Sequence, residues 1–180
     1  MGGLEVELYS ENYKKRCIKR LKEWNAPLAD WKCAYMYDVA ENGDALFVCE
    51  LCDCPGVRFV HVMRHENYFE DVHVGCVCAG IMDGDILTAK ERERDMKNRA
   101  KRKQNYLQRY WQRRENGNRV LRYKNRWLTI MASQYETGGF GVLCDGQSVW
   151  RHKGRKMNHF LTAVHAAFDL VDPPIGGQKL

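Results

Sequence analysis

Apolar residues recur at helical spacing near the start of the chain. Tyr13, Cys17, Ile18, Leu21 and Trp24 fall on one face of a 3.6-residue repeat, which predicts an amphipathic helix over residues 10–25. Ser10 is placed to cap it, Glu11 lies in its first turn, and Pro27 ends the pattern. The period then changes. Residues 31–40 alternate and are rich in aromatics, predicting a strand; Glu41-Asn42-Gly43-Asp44 reads as a turn, and 45–48 as a returning strand that runs into Cys49. The β-branched stretch 57–63 predicts a third strand and 72–74 a short fourth. From 85 to 115 neither Pro nor Gly interrupts, and Ile86, Ala89, Met96, Ala100, Leu107 and Trp111 make a thin apolar stripe along one long helix, with Gly117 beyond its end. Alternation returns in strands over 127–132, 140–144 and 148–152, separated by turns at Thr137-Gly138-Gly139 and Asp145-Gly146. Asn158 is placed to cap a last helix reaching Val171, which Pro173-Pro174 stops ahead of a loose tail.

This order predicts an α+β protein in three parts. Residues 1–84 hold a helix and a small antiparallel β module, 85–116 a long basic connecting helix, and 117–180 a β-β-β-α module. The sequence has 180 residues and a net charge of +6, but the charge is unevenly spread. Between Ile86 and Arg126 there are fifteen lysines and arginines against four acids. Cations at that density neutralise phosphates and release counterions. Lys97, Arg99, Lys101, Arg102, Lys103, Arg109, Arg113 and Arg114 are therefore candidate nucleic-acid contacts. Tyr106, Tyr110 and Trp111 interleave with them, placed either to stack on bases or to pack inward. An acidic protein surface is the alternative partner, and a merely solvated helix face the plainest reading. The apolar stripe would also allow two copies to pair as a homodimer.

The start of the sequence has no basic stretch followed by an apolar run, as a secretory signal needs. Val6 stands where acylation at Gly2 would call for Ser or Thr, and no stretch approaches a membrane span. The protein reads as soluble and cytoplasmic, a reducing setting in which clustered cysteines point to metal rather than disulfides. Five of the eight cysteines lie between Cys49 and Cys78. Cys49 and Cys52 form a C-x-x-C turn at a strand end, and Cys76 and Cys78 form a C-x-C leading towards the long helix. Four thiolates in two pairs suit tetrahedral zinc. Cys54, His61, His65 and His73 compete for a place in that set, while Cys17, Cys33 and Cys144 read as buried or free thiols.

The run from Phe47 to Arg94 resembles a treble-clef zinc finger, in which a knuckle at a hairpin end supplies one ligand pair and the start of the following helix the other. Here a C-x-C stands where that group has C-x-x-C. Residues 126–171, with their Gly-Gly-Phe-Gly turn, are similar in element order to the DNA-binding domain of plant ethylene-response factors and to the arm-binding domain of tyrosine integrases. That resemblance implies a three-stranded sheet laid in a DNA groove, with Arg126, Arg151, Lys153, Arg155 and Lys156 as phosphate contacts. In size, charge and domain style the protein is also similar to compact phage or mobile-element accessory proteins of bacteria.

Nucleotide-binding glycine loops, H-E-x-x-H and G-x-S-x-G are absent from the sequence. Some treble-clef proteins are His-Asn-His nucleases, and His61, His65 and Asn67 stand in a stretch that would serve one. The sequence thus points first to a zinc-stabilised, non-catalytic nucleic-acid-binding protein, with DNA favoured over RNA. An adaptor or inhibitor docking an acidic partner is the alternative, and a metal-dependent nuclease a third reading.

Overall fold

The computed structural model describes residues 10–174 and 176; the stretch holding Gly2, Gly3 and Val6, and most of the tail, lie outside them. The protein divides into two compact units, Met1–Asn98 and Arg99–Leu180. Among the described residues four α-helices and ten strands form three antiparallel sheets, an α+β architecture. No described helix is long and apolar enough to cross a membrane.

In the first unit α1 spans Glu11–Glu23, with the Ser10 hydroxyl accepting from the Tyr13 backbone N–H as its cap. Its apolar face puts Cys17 and Leu21 into the core. Strand β1 is Lys32–Asp38, β2 is Phe59–His65 and β3 is Tyr68–Val74, joined in the order β1-β2-β3. The expected hairpin at Asn42-Gly43 is not there. Asp38 caps a 3-10 turn over Val39–Asn42 by accepting from the Ala40 N–H, and Gly43, at φ +73°, closes that turn. Asn-Gly thus serves as a helix end rather than a hairpin turn, and β1 pairs with β2 instead. The expected strand at 45–48 shrinks to one bridge between Phe47 and Val57.

Cys76–Asp83 forms a short helix, α2, packed on β1 and β2. The second cysteine pair therefore opens α2 and not the long helix. Gly84 (φ +78°) ends α2, and the Asp85 carboxylate, accepting from the Thr88 N–H and hydroxyl, starts α3, Ile86–Leu107. α3 stops eight residues before Glu115 and is shared between the two units.

The second unit has more strands than expected. β4 (Gln112–Arg113), β5 (Arg119–Tyr123), β6 (Arg126–Ala132), β7 (Phe140–Cys144) and β8 (Gln147–Val149) make a five-stranded meander in sequence order. The predicted strand 148–152 is divided between β8 and a small hairpin, β9 (Arg151–His152) with β10 (Arg155–Lys156). Helix α4, Phe160–Val171, has His159 at its N-cap rather than Asn158. It packs on β6 and β7, where Ala163, Val164, Ala167 and Phe168 meet Leu128, Ile130 and Val142. One face of the sheet is thus buried under α4, and on the other Arg122 and Trp127 are exposed.

Gly80 of α2 tests the packing of the first unit. A Cβ there would sit 2.6 Å from the Ile86 Cα. Alanine normally gains up to about 1 kcal/mol over glycine inside a helix, whereas overpacking against backbone costs about 1–3 kcal/mol. Gly80→Ala is expected to lower the stability of this unit in chemical denaturation. A stabilised variant would refute the close approach.

Candidate metal centre

The loop between Phe47 and Val57 is pinched shut by the paired backbone bonds of those two residues. Inside it the Asp53 N–H donates to the Cys49 carbonyl and the Cys49 N–H to the Cys54 carbonyl, at 2.9 and 3.0 Å. This tight knuckle turns the Cys49 and Cys52 thiols inward. From the other side the β2–β3 hairpin delivers the start of α2, where Cys78 is the third helical residue. The Sγ atoms of Cys49, Cys52 and Cys78 all lie within 4.8 Å of one another.

Cys76 is not among them. Residues two apart on an α-helix point about 200° apart around its axis, so with 76–83 helical the Cys76 and Cys78 side chains diverge. The neighbour that would share the Cys78 face, three residues earlier, is Gly75. The Cys76 thiol is pushed up to about 12 by burial and by Glu93, with which it bonds. The remaining candidate donors are engaged elsewhere. Cys54 is exposed, its thiol 3.5 Å from the Pro55 carbonyl. His73 Nδ1 is 3.2 Å from the Tyr37 hydroxyl, and His65 Nδ1 accepts from the Asn67 N–H. His61 is fully buried, with Nε2 3.3 Å from the Ala89 carbonyl. Burial holds the His61 imidazole down at about 4, whereas His65 and Asn67 lie at the β2–β3 turn, bonded to each other.

Two residues not expected at the site come from α1. The Tyr13 hydroxyl is 3.0 Å from Cys78 Sγ and also bonds Cys52, while Cys17 Sγ is 3.9 Å from Cys78 Sγ. Their i, i+4 spacing is visible in the sequence, where the apolar face of the helix is enough to account for it. Cys49 is held down to about 5 by the Cys78 thiol and, against the cost of burial, by the backbone N–H groups of Gly75, Cys52 and Leu51. Cys78 is driven up by the bonds it makes to Cys17 and Cys49 and by burial. Cys17 is also held down, by its bond to Cys78 against the cost of burial, while burial pushes Cys52 up. A cation binding such a cluster of thiols would displace protons from them. Sulfur donors in a buried cluster, with amides aimed at one of them, fit a soft or borderline metal such as zinc and not calcium or magnesium. No family model matches this sequence, and no curated protein or solved structure matches it.

The predicted phosphate contacts do not share one environment. Lys97, Lys101, Arg109, Arg113, Arg114, Arg126, Arg151, Lys153, Arg155 and Lys156 are exposed. Lys97 pairs with Glu93, Arg126 with Asp145 and Lys156 with Glu136. Arg99 and Lys103 are buried, and both bind Asp169 of α4. Arg102 and Lys124 bind Asp172. The positive excess counted along the sequence is therefore partly neutralised in space by aspartates from outside the segment.

The Asp169 carboxylate offers a test. Burial alone would raise its carboxyl, but the bond from His152 and the charges of Lys103 and Arg99 outweigh burial and hold it at about 2. A depressed folded pKa adds stability that is complete above the unfolded value near 4 and is lost as pH falls towards 2. The second unit should lose about 2 kcal/mol over that interval, read by denaturant titration. Asp169→Asn should abolish this slope and cost about 3–5 kcal/mol at neutral pH by stranding buried cations. An unchanged slope in the variant would show that other carboxylates carry the effect.

Proposed function

We propose that the protein is a zinc-stapled, non-catalytic nucleic-acid-binding protein. The metal part of the reading is supported by the Cys49, Cys52 and Cys78 cluster. The succession of knuckle, hairpin and helix start supports a treble-clef-like module around it. The ion is structural in this reading. Zinc would be held by those thiolates, and what it supplies is cross-linking of the loop to α2.

The nucleic-acid part is carried by the open face of the five-stranded sheet. By strand register, Arg122 lies directly opposite Trp127, Val120 opposite Thr129, and Met131 opposite Gly141. These positions alternate with the buried Leu121, Leu128, Ile130 and Val142, so they face away from α4. Trp127 is 55% exposed, and Trp150 lies across Gly141, whose added Cβ would meet the indole at 2.6 Å. No acidic residue falls among these strand positions. Beside Trp150 a recess of about 320 Å³ is lined in part by Tyr135, Arg151 and Lys156. Aromatic faces beside arginine stack bases at about 1–3 kcal/mol each and tolerate sequence variation. The meander β5–β6–β7 backed by α4 supports the resemblance to sheet-in-groove DNA-binding domains, and so favours DNA over RNA.

The test is retardation of short DNA and RNA by the purified protein across a salt series. Affinity should fall steeply with salt, as phosphate contacts require. Arg122→Ala with Trp127→Ala should weaken binding by about tenfold or more at low salt. Lys97→Ala, on α3, should change it little. Failure of the wild-type protein to retard either polymer at low salt would defeat the reading and favour an acidic protein partner.

A further inference from the structure

We propose that Cys17, on α1, is the fourth ligand of the metal centre and completes a four-thiolate set with Cys49, Cys52 and Cys78. The inference rests on the metal reading above and goes beyond it by naming the element that the ion ties down.

Cys17 Sγ lies 3.9 Å from Cys78 Sγ. Four sulfurs bound to one zinc at about 2.3 Å stand about 3.8 Å apart along each tetrahedral edge. The contact between Cys17 and Cys78 already has that length. Cys17 touches one member of the set, and metal binding draws its sulfur towards the other two. The thiol is fully buried, so it faces the cluster and not solvent.

The helix is held so that it points this way. Residues 13, 17 and 20 follow one face of α1. On one side of Cys17 the Tyr13 hydroxyl bonds Cys78; on the other, Arg20 forms an ion pair with Asp53 inside the cysteine knuckle. Two contacts to the cysteine-bearing segments thus bracket the thiol in question.

The competing donors fit less well. A phenolate and a thiolate on one zinc would stand about 3.5 Å apart. Tyr13 is 3.0 Å from Cys78, a hydrogen-bond distance shorter than that edge, so its hydroxyl bonds the sulfur and does not share the ion. Cys76 faces Glu93, and Cys54 is exposed beyond the knuckle. Cys33 bonds the Tyr35 carbonyl, and Cys144 belongs to the core of the second unit.

With Cys17 in the set, the ion joins three segments: α1, the knuckle and the start of α2. Zinc loading then orders α1 together with the β module. Removing the ion removes the Cys17 link and leaves Glu11–Glu23 held by its apolar face, by the Tyr13 bonds to Cys78 and Cys52 and by the Arg20–Asp53 pair.

X-ray absorption on the zinc-loaded protein decides the matter. Four sulfurs at about 2.3 Å are expected in the wild type. They should persist in Cys76→Ser and Cys54→Ser, which by elimination leaves Cys17. Cys17→Ser should show three sulfurs and one lighter donor, with zinc affinity against a chelator roughly tenfold weaker or more, as loss of a ligand requires. If that variant does not fold, the wild-type count with the Cys76 and Cys54 variants still decides. Three sulfurs in the wild type, or a sulfur lost in Cys76→Ser or Cys54→Ser, overturns the assignment of Cys17 while leaving the metal reading intact. A wild-type protein that takes up no zinc defeats the metal reading itself.

Discussion

Cys49, Cys52 and Cys78 crowd within 4.8 Å of one another, and Cys17 touches the last of them. Left to themselves such groups have little reason to meet. Ionised thiolates at that range repel, and protonated thiols are weak donors that gain little from burial together. A divalent cation changes the balance, because each thiolate it binds is both neutralised and fixed. Structural zinc contributes on the order of 10 kcal/mol, comparable to the whole stability of a small domain. On the metal reading proposed above, the first unit would gain such a contribution. Its sheet has three strands, and the loop between Phe47 and Val57 has one backbone bridge and no strand of its own.

The second unit solves a related problem with charges already in the sequence. Asp169 sits among Arg99, Lys103 and His152, and Asp172 among Arg102 and Lys124. Each carboxylate faces more than one cation, so the arrangement holds its acids ionised although they are buried. Removing one acid strands several positive groups, which is why buried networks of this kind are costly to break even where they add little net stability. The same geometry explains how a helix so dense in lysine and arginine avoids self-repulsion: the compensating acids sit at the end of α4, some seventy residues away in sequence.

Elements with a strong local period are legible in the sequence. α1, β2, β7 and α4 fall close to their expected bounds because a cap, an alternation or a proline stop fixes each one locally. What cannot be read there is set by non-local geometry. Asn42-Gly43 suits a hairpin turn and a helix end equally, and only the pairing of β1 with β2 decides between them. Cys76 and Cys78 read as a ligand pair until 76–83 is known to be helical, when the rotation per residue separates them. Arg99 and Lys103 look like surface charges unless Asp169 is known to lie against them. Cys17 is visible as a helix-face residue, but its distance from Cys78 depends on how α1 packs.

Spatial neutralisation also moves the weight of the nucleic-acid reading. An arginine already bound to a buried aspartate offers little to a phosphate, since the aspartate would have to be left unpaired. Arg122 is placed differently. It stands on β5 opposite Trp127 in the strand register, on the face turned away from α4, and both residues are exposed. An antiparallel sheet with one face in water normally carries polar side chains there. This one carries Val120, Met131, Leu143 and two tryptophans, a composition suited to contact and not to hydration alone. Base faces would provide apolar area and phosphates the counter-charge for Arg122, so on the proposed reading a nucleic acid would satisfy both features of the face with a single partner.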